Sequence, residues 1–207
     1  MIVLLVGSAA FAAGFAYSSF FEWALHKYVL HSPRLLRYPH RAHQLEHHAI
    51  FRADATYFLP GGLHPESDAH HLTFAWWNAP LLIGLHLPLF ALVYLAGGLA
   101  AGAGALLAMS AYYALYEYLH YAMHVPQGRW FERTRVFAFI QAHHRVHHLS
   151  YNRNLNVVFP LADLVLRTRL APRPGLFEQL ERARLGRAGS TGGETAAPAA
   201  RESHPSA

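Results

Sequence analysis

The stretch LTFAWWNAPLLIGLHLPLFALVYLAGGLAAGAGALLAMSAYYALY, residues 72–116, contains no Asp, Glu, Lys or Arg over 45 positions. Such a length exceeds the roughly 20 apolar residues that one membrane-spanning helix needs, and it fits two helices joined by a turn. Gly97 and Gly98 mark the position of that turn. We therefore predict a helical hairpin in which residues 74–96 run in one direction and residues 99–117 return.

A further apolar run begins the chain. Residues 2–21 carry no charge over 20 positions, which is long enough to cross a bilayer. A secretory signal peptide would have the same apolar character, but this run lacks a basic segment before it and a clear cleavage site after it. We therefore predict a retained first span, and about three spans in total.

The composition agrees with a membrane protein. Of the 207 residues, 53% are apolar and only 14% are charged, whereas about 25% is usual in soluble domains. Cysteine is absent, which excludes disulfides, thiolate metal sites and cysteine nucleophiles. The predicted fold class is all-α, an integral-membrane helical bundle with a cytosolic histidine-rich cap.

The basic residues predict the orientation of this bundle. Five lie within residues 27–71 and twelve follow residue 120, whereas residues 1–26 and 72–119 hold none. By the positive-inside rule, both basic regions face the cytoplasm. The arginines sit beside apolar runs without a nucleic-acid motif or a basic stripe, so we expect no nucleic-acid partner.

We expect a single membrane-embedded domain over residues 1–170. Its last part, residues 155–170, is apolar but interrupted by Pro160 and Asp163, which favours an interfacial segment over a span. A short amphipathic helix is predicted within residues 171–187. Residues 188–207 are rich in Gly, Ala, Pro and Ser, which predicts a disordered tail.

Seventeen histidines are many for a chain of this length, and twelve of them are clustered. The four groups are His26 and His31; His40, His43, His47 and His48; His120 and His124; and His143, His144, His147 and His148. Neutral imidazole is a common ligand for iron and zinc. Because the predicted topology brings all four groups to one membrane face, we interpret them as metal ligands.

The spacing within the groups indicates how the ligands would be shared. Three pairs are four residues apart and so share a helix face: His43 with His47, His120 with His124, and His144 with His148, to which His147 adds a third position. His26 and His31 are five apart, which needs a local distortion or two separate metals. One ion takes four to six ligands, so this many imidazoles predict two metals.

Two carboxylates precede histidines by about one helical turn. Glu22 lies four residues before His26, and Glu117 lies three residues before His120. Each could accept the N–H of a ligating imidazole and orient its ring, although a capping or ion-pair role fits equally well. His71 remains open as an additional ligand, and His86, inside a predicted span, is interpreted as a packed residue.

The four groups in this order resemble the fatty acid hydroxylase superfamily, which includes sterol desaturases, sterol C4-methyl oxidases and sphingolipid fatty-acid 2-hydroxylases. The resemblance covers about residues 20–170 and is carried by EWALHKYVLH (22–31), HRAHQLEHH (40–48), YYALYEYLHYAMH (112–124) and HHRVHHLSYNRNLNVVFPLADLVLRT (143–168). Two departures are the H-x₃-H-H form of the second motif and the absence of a glycine before Thr168.

The resemblance implies a helical membrane domain with a cytosolic dimetal centre. The ligands it implies are His26, His31, His43, His47, His48, His120, His124, His144, His147 and His148, with His40 and His143 as extra positions in the same motifs. No catalytic residue is implied beyond the ligands. The likeness is greatest to short bacterial members, which implies a bacterial inner membrane.

The implied activity is that of a non-haem diiron oxygenase. It would use two Fe²⁺ ions, which Zn²⁺ can replace on purification, and O₂ to hydroxylate or desaturate an alkyl C–H bond of a membrane lipid. The sequence has no dinucleotide fingerprint and no fused haem domain, so a separate electron donor is expected, either a ferredoxin or a b-type cytochrome with its reductase.

Other functions fit the same composition. Carotenoid hydroxylation or another diiron lipid desaturation would use the same centre. A metal transporter would place ligands inside the spans, where the sequence offers only His86. A zinc hydrolase would need the H-E-x-x-H string, which is absent. A structural metal-binding protein is the remaining alternative.

Overall fold

The computed structural model describes residues 1–59, 71–180 and 182. Every regular element within these residues is helical, and none of them forms a strand. Two helical stretches, Ile2–Leu30 and Leu87–His124, are long and apolar enough to cross a membrane. The predicted all-α class is thereby confirmed, together with helices of membrane-spanning length.

Up to residue 165, the described residues form seven α-helices: α1 Ile2–Leu25, α2 Arg37–His40, α3 His48–Ile50, α4 Asn78–Leu85, α5 Leu87–His124, α6 Arg135–His147 and α7 Leu161–Val165. Two π-helical turns extend α1 and α2 at their ends, and they are His26–Leu30 and Arg41–His47. Short 3₁₀ turns occur at Ala55–Tyr57 and Trp130–Arg133. Most of the histidines lie in or beside the ends of these helices.

Helix α5 is broken at Gly98, whose φ of 73° and ψ of −171° are not helical. A Cβ atom at Gly102 would lie 3.0 Å from the Cβ of Tyr94. Eight residues along a straight helix would separate these positions by about 12 Å. The chain therefore reverses at Gly98, at the position where the sequence predicts the hairpin turn, and glycine is favoured there because φ is positive.

Small residues allow α1 to lie close against the second half of α5. A Cβ atom at Gly104 would be only 2.3 Å from the carbonyl oxygen of Gly7, and one at Gly14 would be 3.0 Å from the Cβ of Ala108. Such close backbone approach is a common way for apolar helices to associate when the hydrophobic effect contributes little. This contact aligns the ends of α1 and α5, from which the histidine groups extend.

The segment predicted to be interfacial packs along the last turns of α1. Ser19 donates its hydroxyl to the carbonyl of Phe159 at 2.6 Å and accepts the N–H of Ala162 at 3.1 Å. Leu164 and Val165 in α7 remain more than half exposed. The polar contacts fix this segment to α1, while its outer side is apolar.

Part of the predicted C-terminal helix is present. Residues 176–180 are helical, and the ring of Phe177 lies 4.3 Å from the guanidinium carbon of the buried Arg145. This contact attaches the C-terminal segment to α6. Apart from residue 182, the remainder of that predicted helix and the predicted tail, residues 188–207, lie outside the described residues.

Replacing Gly104 by alanine should lower the stability of the protein, because the added methyl group would collide with the backbone of Gly7. Overpacking of this kind typically costs about 1–3 kcal/mol. The matched control is Gly84→Ala in α4, where nothing lies within 4 Å of the new atom and stability should be unchanged or slightly raised. Thermal unfolding in detergent compares the two variants. Equal midpoints would contradict the close packing of α1 on α5.

Candidate metal centre

Nine of the clustered histidines form two compact groups at the ends of α1 and α5. The first group contains His26, His31, His43, His48 and His147, and the second contains His47, His124, His144 and His148. Within each group, one ligand atom from every residue lies within 4.8 Å of the corresponding atom of every other residue. Eight of the nine rings are buried, and His31 is half-buried. In each of the two groups, residues that are far apart in sequence therefore meet in one small volume.

The two π-helical turns explain the composition of the first group. A π-helical hydrogen bond runs from residue i to residue i+5, so residues five apart come to lie on one face. The N–H of His31 donates to the carbonyl of His26 at 3.0 Å, and the N–H of His48 donates to that of His43. The five-residue spacing of His26 and His31 is thus accommodated by a local distortion of the helix.

The same turn changes the pairing predicted for the second motif. Spacing predicted that His43 and His47 would share one metal, but the structure places His43 in the first group and His47 in the second. The physical reason is the π-turn, which rotates His48 to the face of His43 and leaves His47 on another. His147 also lies in the first group, apart from His144 and His148.

His120 lies beside the second group. It is not a member, because its ring nitrogens are not within 4.8 Å of the ligand atoms of all four members. Its ring centroid is 4.8 Å from that of His47 and 4.9 Å from that of His144. The Nε2 atoms of His120 and His47 are buried and have no hydrogen-bond partner among the residues that the structure describes. Leaving such atoms unpaired costs about 1–3 kcal/mol each, so both are available for a ligand that the polypeptide does not supply.

The other ring nitrogen of most of these histidines donates to a backbone carbonyl. Six Nδ1 atoms do so at 2.5–2.9 Å, and the pairs are His26 with Leu155, His47 with His71, His120 with Leu72, His124 with Tyr57, His147 with Arg153, and His148 with Phe51. A carbonyl can only accept, so each Nδ1 carries the proton. The Nε2 atom of each neutral ring therefore presents a lone pair.

Facing lone pairs make the arrangement unfavourable without a cation. His31 and His147 face each other with their Nε2 atoms 3.0 Å apart. The Nδ1 of His147 donates to Arg153, and that of His31 contacts the side-chain oxygen of Gln44. No proton then remains to bridge the two Nε2 atoms, and their lone pairs repel each other.

A shared metal ion accounts for the separations between facing nitrogens. Five further pairs of Nε2 atoms within the two groups are 2.9–3.3 Å apart, and they are His26–His43, His43–His48, His48–His147, His124–His144 and His144–His148. Two nitrogens each about 2.1 Å from one ion lie about 3.0–3.4 Å apart at bond angles between a right angle and the tetrahedral angle. The spacing fits ligands that converge on a common ion.

Protonation of the rings is not an alternative source of that positive charge at neutral pH. Burial lowers the pKa of His43, His47 and His147 well below the usual value for histidine, and neighbouring imidazoles lower it further. Burial likewise lowers the pKa of His31 to about 4. Neutral imidazoles are the form that binds iron, zinc or copper, whereas Mg²⁺ and Ca²⁺ prefer oxygen ligands.

Besides His120, two histidines of the predicted set lie outside both groups. The Nδ1 of His40 donates to the carbonyl of Leu30 at 3.1 Å. His143 is buried with its Nε2 3.0 Å from a carboxylate oxygen of Asp163. Of the second and fourth motifs, the structure thus brings to the groups only the positions that the family resemblance implies, and His40 and His143 make other contacts.

The two predicted supporting carboxylates do not contact the imidazoles. Glu22 accepts hydrogen bonds from the Tyr112 hydroxyl at 2.6 Å, from the Asn156 side chain at 2.9 Å and from the Val157 N–H at 2.6 Å. Glu117 accepts the N–H of Phe74 at 3.1 Å. Backbone carbonyls, rather than these carboxylates, accept the hydrogen bonds of His26 and His120. Glu22 instead holds the loop that carries Leu155, through its bonds to Asn156 and Val157.

Asp163 orders the same loop from the other side. Its carboxylate accepts the backbone N–H groups of Leu155 and Asn156 at 3.0 and 2.8 Å and the hydroxyl of Thr168 at 2.6 Å. Burial alone would raise the pKa of Asp163, but these bonds and that from His143 outweigh it and lower the pKa. The sequence signal for this role is an acidic residue within the apolar segment 155–170.

A cavity of about 710 Å³ reaches the centre from the side of α2 and α4. Its inner wall includes His43 of the first group, His47 of the second, and His120. Most of the remaining lining is apolar and includes Leu25, Leu30, Phe74, Leu81 and Leu82. Pockets of about 300–1,000 Å³ with apolar walls and a few polar groups are typical of small-molecule sites.

Comparison with known proteins identifies no relative. No family model matches the chain, and neither a curated protein nor a solved structure matches it. The class of site is therefore defined by its geometry alone, as two adjoining sets of neutral imidazoles beside an apolar cavity.

The purified protein should bind about two transition-metal ions per chain, since two sets of converging ligands are present. His147→Ala, in the first group, and His124→Ala, in the second, should each lower that content by about one ion. His40→Gln is the matched control and should retain both ions. Inductively coupled plasma mass spectrometry provides the count. Unchanged metal content in both alanine variants would contradict the two groups.

The metal-free protein should lose stability as the pH falls from about 6.5 to about 4. The unfolded chain takes up protons on its histidines with a pKa near 6.5, whereas the folded His31 resists protonation down to about 4. Because several buried rings behave alike, the free energy of unfolding should change by more than about 1.4 kcal/mol per pH unit. Thermal unfolding between pH 7.5 and 5 tests this, and a flat profile would refute it.

Proposed function

We propose that the protein is a membrane-bound, non-haem diiron oxygenase that attacks an alkyl C–H bond of a lipid. The observation that carries the proposal is the junction of two imidazole groups with one apolar cavity, whose wall includes ligands of both groups. A site that only stored or carried a metal would not need an apolar chamber of this size. The order of the histidine motifs, which resembles that of the fatty acid hydroxylase superfamily, supports the same function.

The ligand sets suit iron, because imidazole is a ligand for Fe²⁺ and the rings are held neutral. His26, His31, His43, His48 and His147 would hold one ion, and His47, His124, His144 and His148, with His120, would hold the other. When bound, the two irons would supply O₂ activation and the oxidising power needed to break a C–H bond.

The polypeptide's own contribution is positioning. Backbone carbonyls at Leu155, Leu72 and Tyr57 fix the rings of His26, His120 and His124 before any ion binds, and such preorganisation raises ligand affinity. The apolar walls would align an alkyl chain and exclude water from the reacting carbon. No carboxylate lies among the described residues that line the cavity.

The proposed topology has three spans in a bacterial inner membrane, with both histidine-rich regions on the cytoplasmic side. The reversal at Gly98 supports a span on each side of it, in addition to α1. The distribution of basic residues supports the cytoplasmic position of the histidines. The C-terminal ends of α1 and α5 lie together, which supports a centre just outside the apolar layer.

Electrons would come from a separate donor, a ferredoxin or a b-type cytochrome. Tyr151 offers a point of approach, because it is 39% exposed and its ring centroid lies 4.6 Å from that of His48. His86, by contrast, gives no support to a transport pathway through the spans. Its Nδ1 donates to Leu82, and its Nε2 pairs with the hydroxyl of Tyr17.

Deleting the gene should remove one class of hydroxylated or newly unsaturated lipid from the cells, and a plasmid copy should restore it. A plasmid copy of His124→Ala should fail to do so, while His40→Gln should succeed, because only the former loses a ligand. Lipid mass spectrometry, with carotenoids included, provides the measurement. An unchanged lipid profile in the deletion strain under aerobic growth would refute the oxygenase.

A further inference from the structure

The cavity has an exposed outer end and a buried inner end. His47 and His120 at the inner end are 1% and 4% exposed, whereas Tyr38 and Trp77 at the outer end are 63% and 40% exposed. The rings of Tyr38 and Trp77 are in contact, with centroids 6.2 Å apart. These two aromatic side chains therefore form a rim around the opening.

Arg37 is the one permanently charged side chain among the described residues that line the cavity. It is exposed and lies next to Tyr38 at the rim. Among the described residues, Arg41 forms an ion pair with Glu46 and Arg129 forms one with Glu132. Within residues 1–59 and 71–180, the guanidinium of Arg37, which carries five N–H donors, has neither an ion pair nor a hydrogen bond.

The polarity of the cavity thus changes along its length. The guanidinium of Arg37 and the two aromatic side chains lie at the opening. Leucine and phenylalanine side chains form the walls, and imidazoles close the inner end. A ligand complementary to this order has a negatively charged head and an alkyl chain. A guanidinium binds carboxylate and phosphate groups with two parallel hydrogen bonds, which a neutral alcohol cannot accept.

We propose that the cavity binds an anionic amphiphile, whose carboxylate or phosphate pairs with Arg37 while its alkyl chain extends inward to His43, His47 and His120. The proposal that the cavity binds such a molecule rests only on the lining of the cavity and on Arg37. Only the statement that the bound molecule is the substrate rests on the proposed function. Because the head is held at the rim, the carbon presented to the histidines is fixed by its distance from the charged group.

The test measures binding to the purified protein in neutral detergent. Three probes of equal chain length are compared, a long-chain carboxylic acid, a monoalkyl phosphate and a primary alcohol, by displacement of a fluorescent fatty acid. Arg37→Gln should weaken binding of the acid and the phosphate about tenfold or more, which corresponds to the loss of about 1.4 kcal/mol, and should leave the alcohol unchanged.

Arg34→Gln is the matched control, because Arg34 is exposed and close in sequence but does not line the cavity. It should bind all three probes as the unaltered protein does. Equal losses in both arginine variants, or an alcohol that binds as tightly as the acid, would overturn the proposal. The tighter of the two anionic probes indicates whether the natural head is a carboxylate or a phosphate.

A second measurement separates cavity binding from attraction to the membrane. Vesicles of phosphatidylcholine with and without phosphatidylglycerol are compared for binding of the same variants. If Arg37→Gln changes vesicle binding but not displacement of the soluble probes, Arg37 contacts lipid headgroups and the proposal fails.

The failure of the two proposals is distinguishable. His147→Ala should lose metal yet retain binding of the anionic probe, since His147 does not line the cavity. Tight, Arg37-dependent binding with no oxidised lipid in cells would refute the oxygenase and leave the ligand class intact. Oxidised lipid in cells with Arg37-independent binding would refute the ligand class alone.

Discussion

The centre depends on the hydrogen bonds that tie one nitrogen of each ring to the backbone. When the backbone carbonyl of Leu155, Tyr57 or Phe51 accepts a hydrogen bond from the Nδ1–H of a histidine, the Nε2 atom of that ring is left with a buried lone pair. Several such lone pairs then meet at about 3 Å, an arrangement that is favourable only around cations. Loops distant in sequence are held in place for this purpose, Asp163 and Glu22 fixing the one that carries Leu155.

Periodicity and composition predict the helices and the position of the reversal, because long apolar runs and paired glycines act locally. The charge-free run 72–116 predicted both arms of the hairpin, and Gly98 is the residue at which the chain turns. The same rules also predicted which stretches carry the histidines that meet. They could not reveal to which of the two groups each histidine belongs, because that depends on the direction in which the helix turns each side chain.

The direction of these side chains is set by two π-turns that no propensity scale detects. A π-turn is a costly local distortion that persists where tertiary contacts compensate for it, and here such contacts include the hydrogen bonds of His26 to Leu155 and of His47 to His71. For the same reason, the roles of Glu22 and Glu117 could not be read from spacing. Backbone carbonyls have no sequence signature, so an acceptor such as Leu155 becomes visible only once the loop is placed against α1.

The division of ligands among distant segments has a consequence for how the protein is made. The last histidine of the first group is His147 and that of the second is His148, so both groups are complete only when synthesis has passed the end of α6. Before α6 is synthesised, the chain contains four histidines of the first group but only His47 and His124 of the second. A product that ends before α6 therefore lacks half of the second group, whereas the first group lacks only His147.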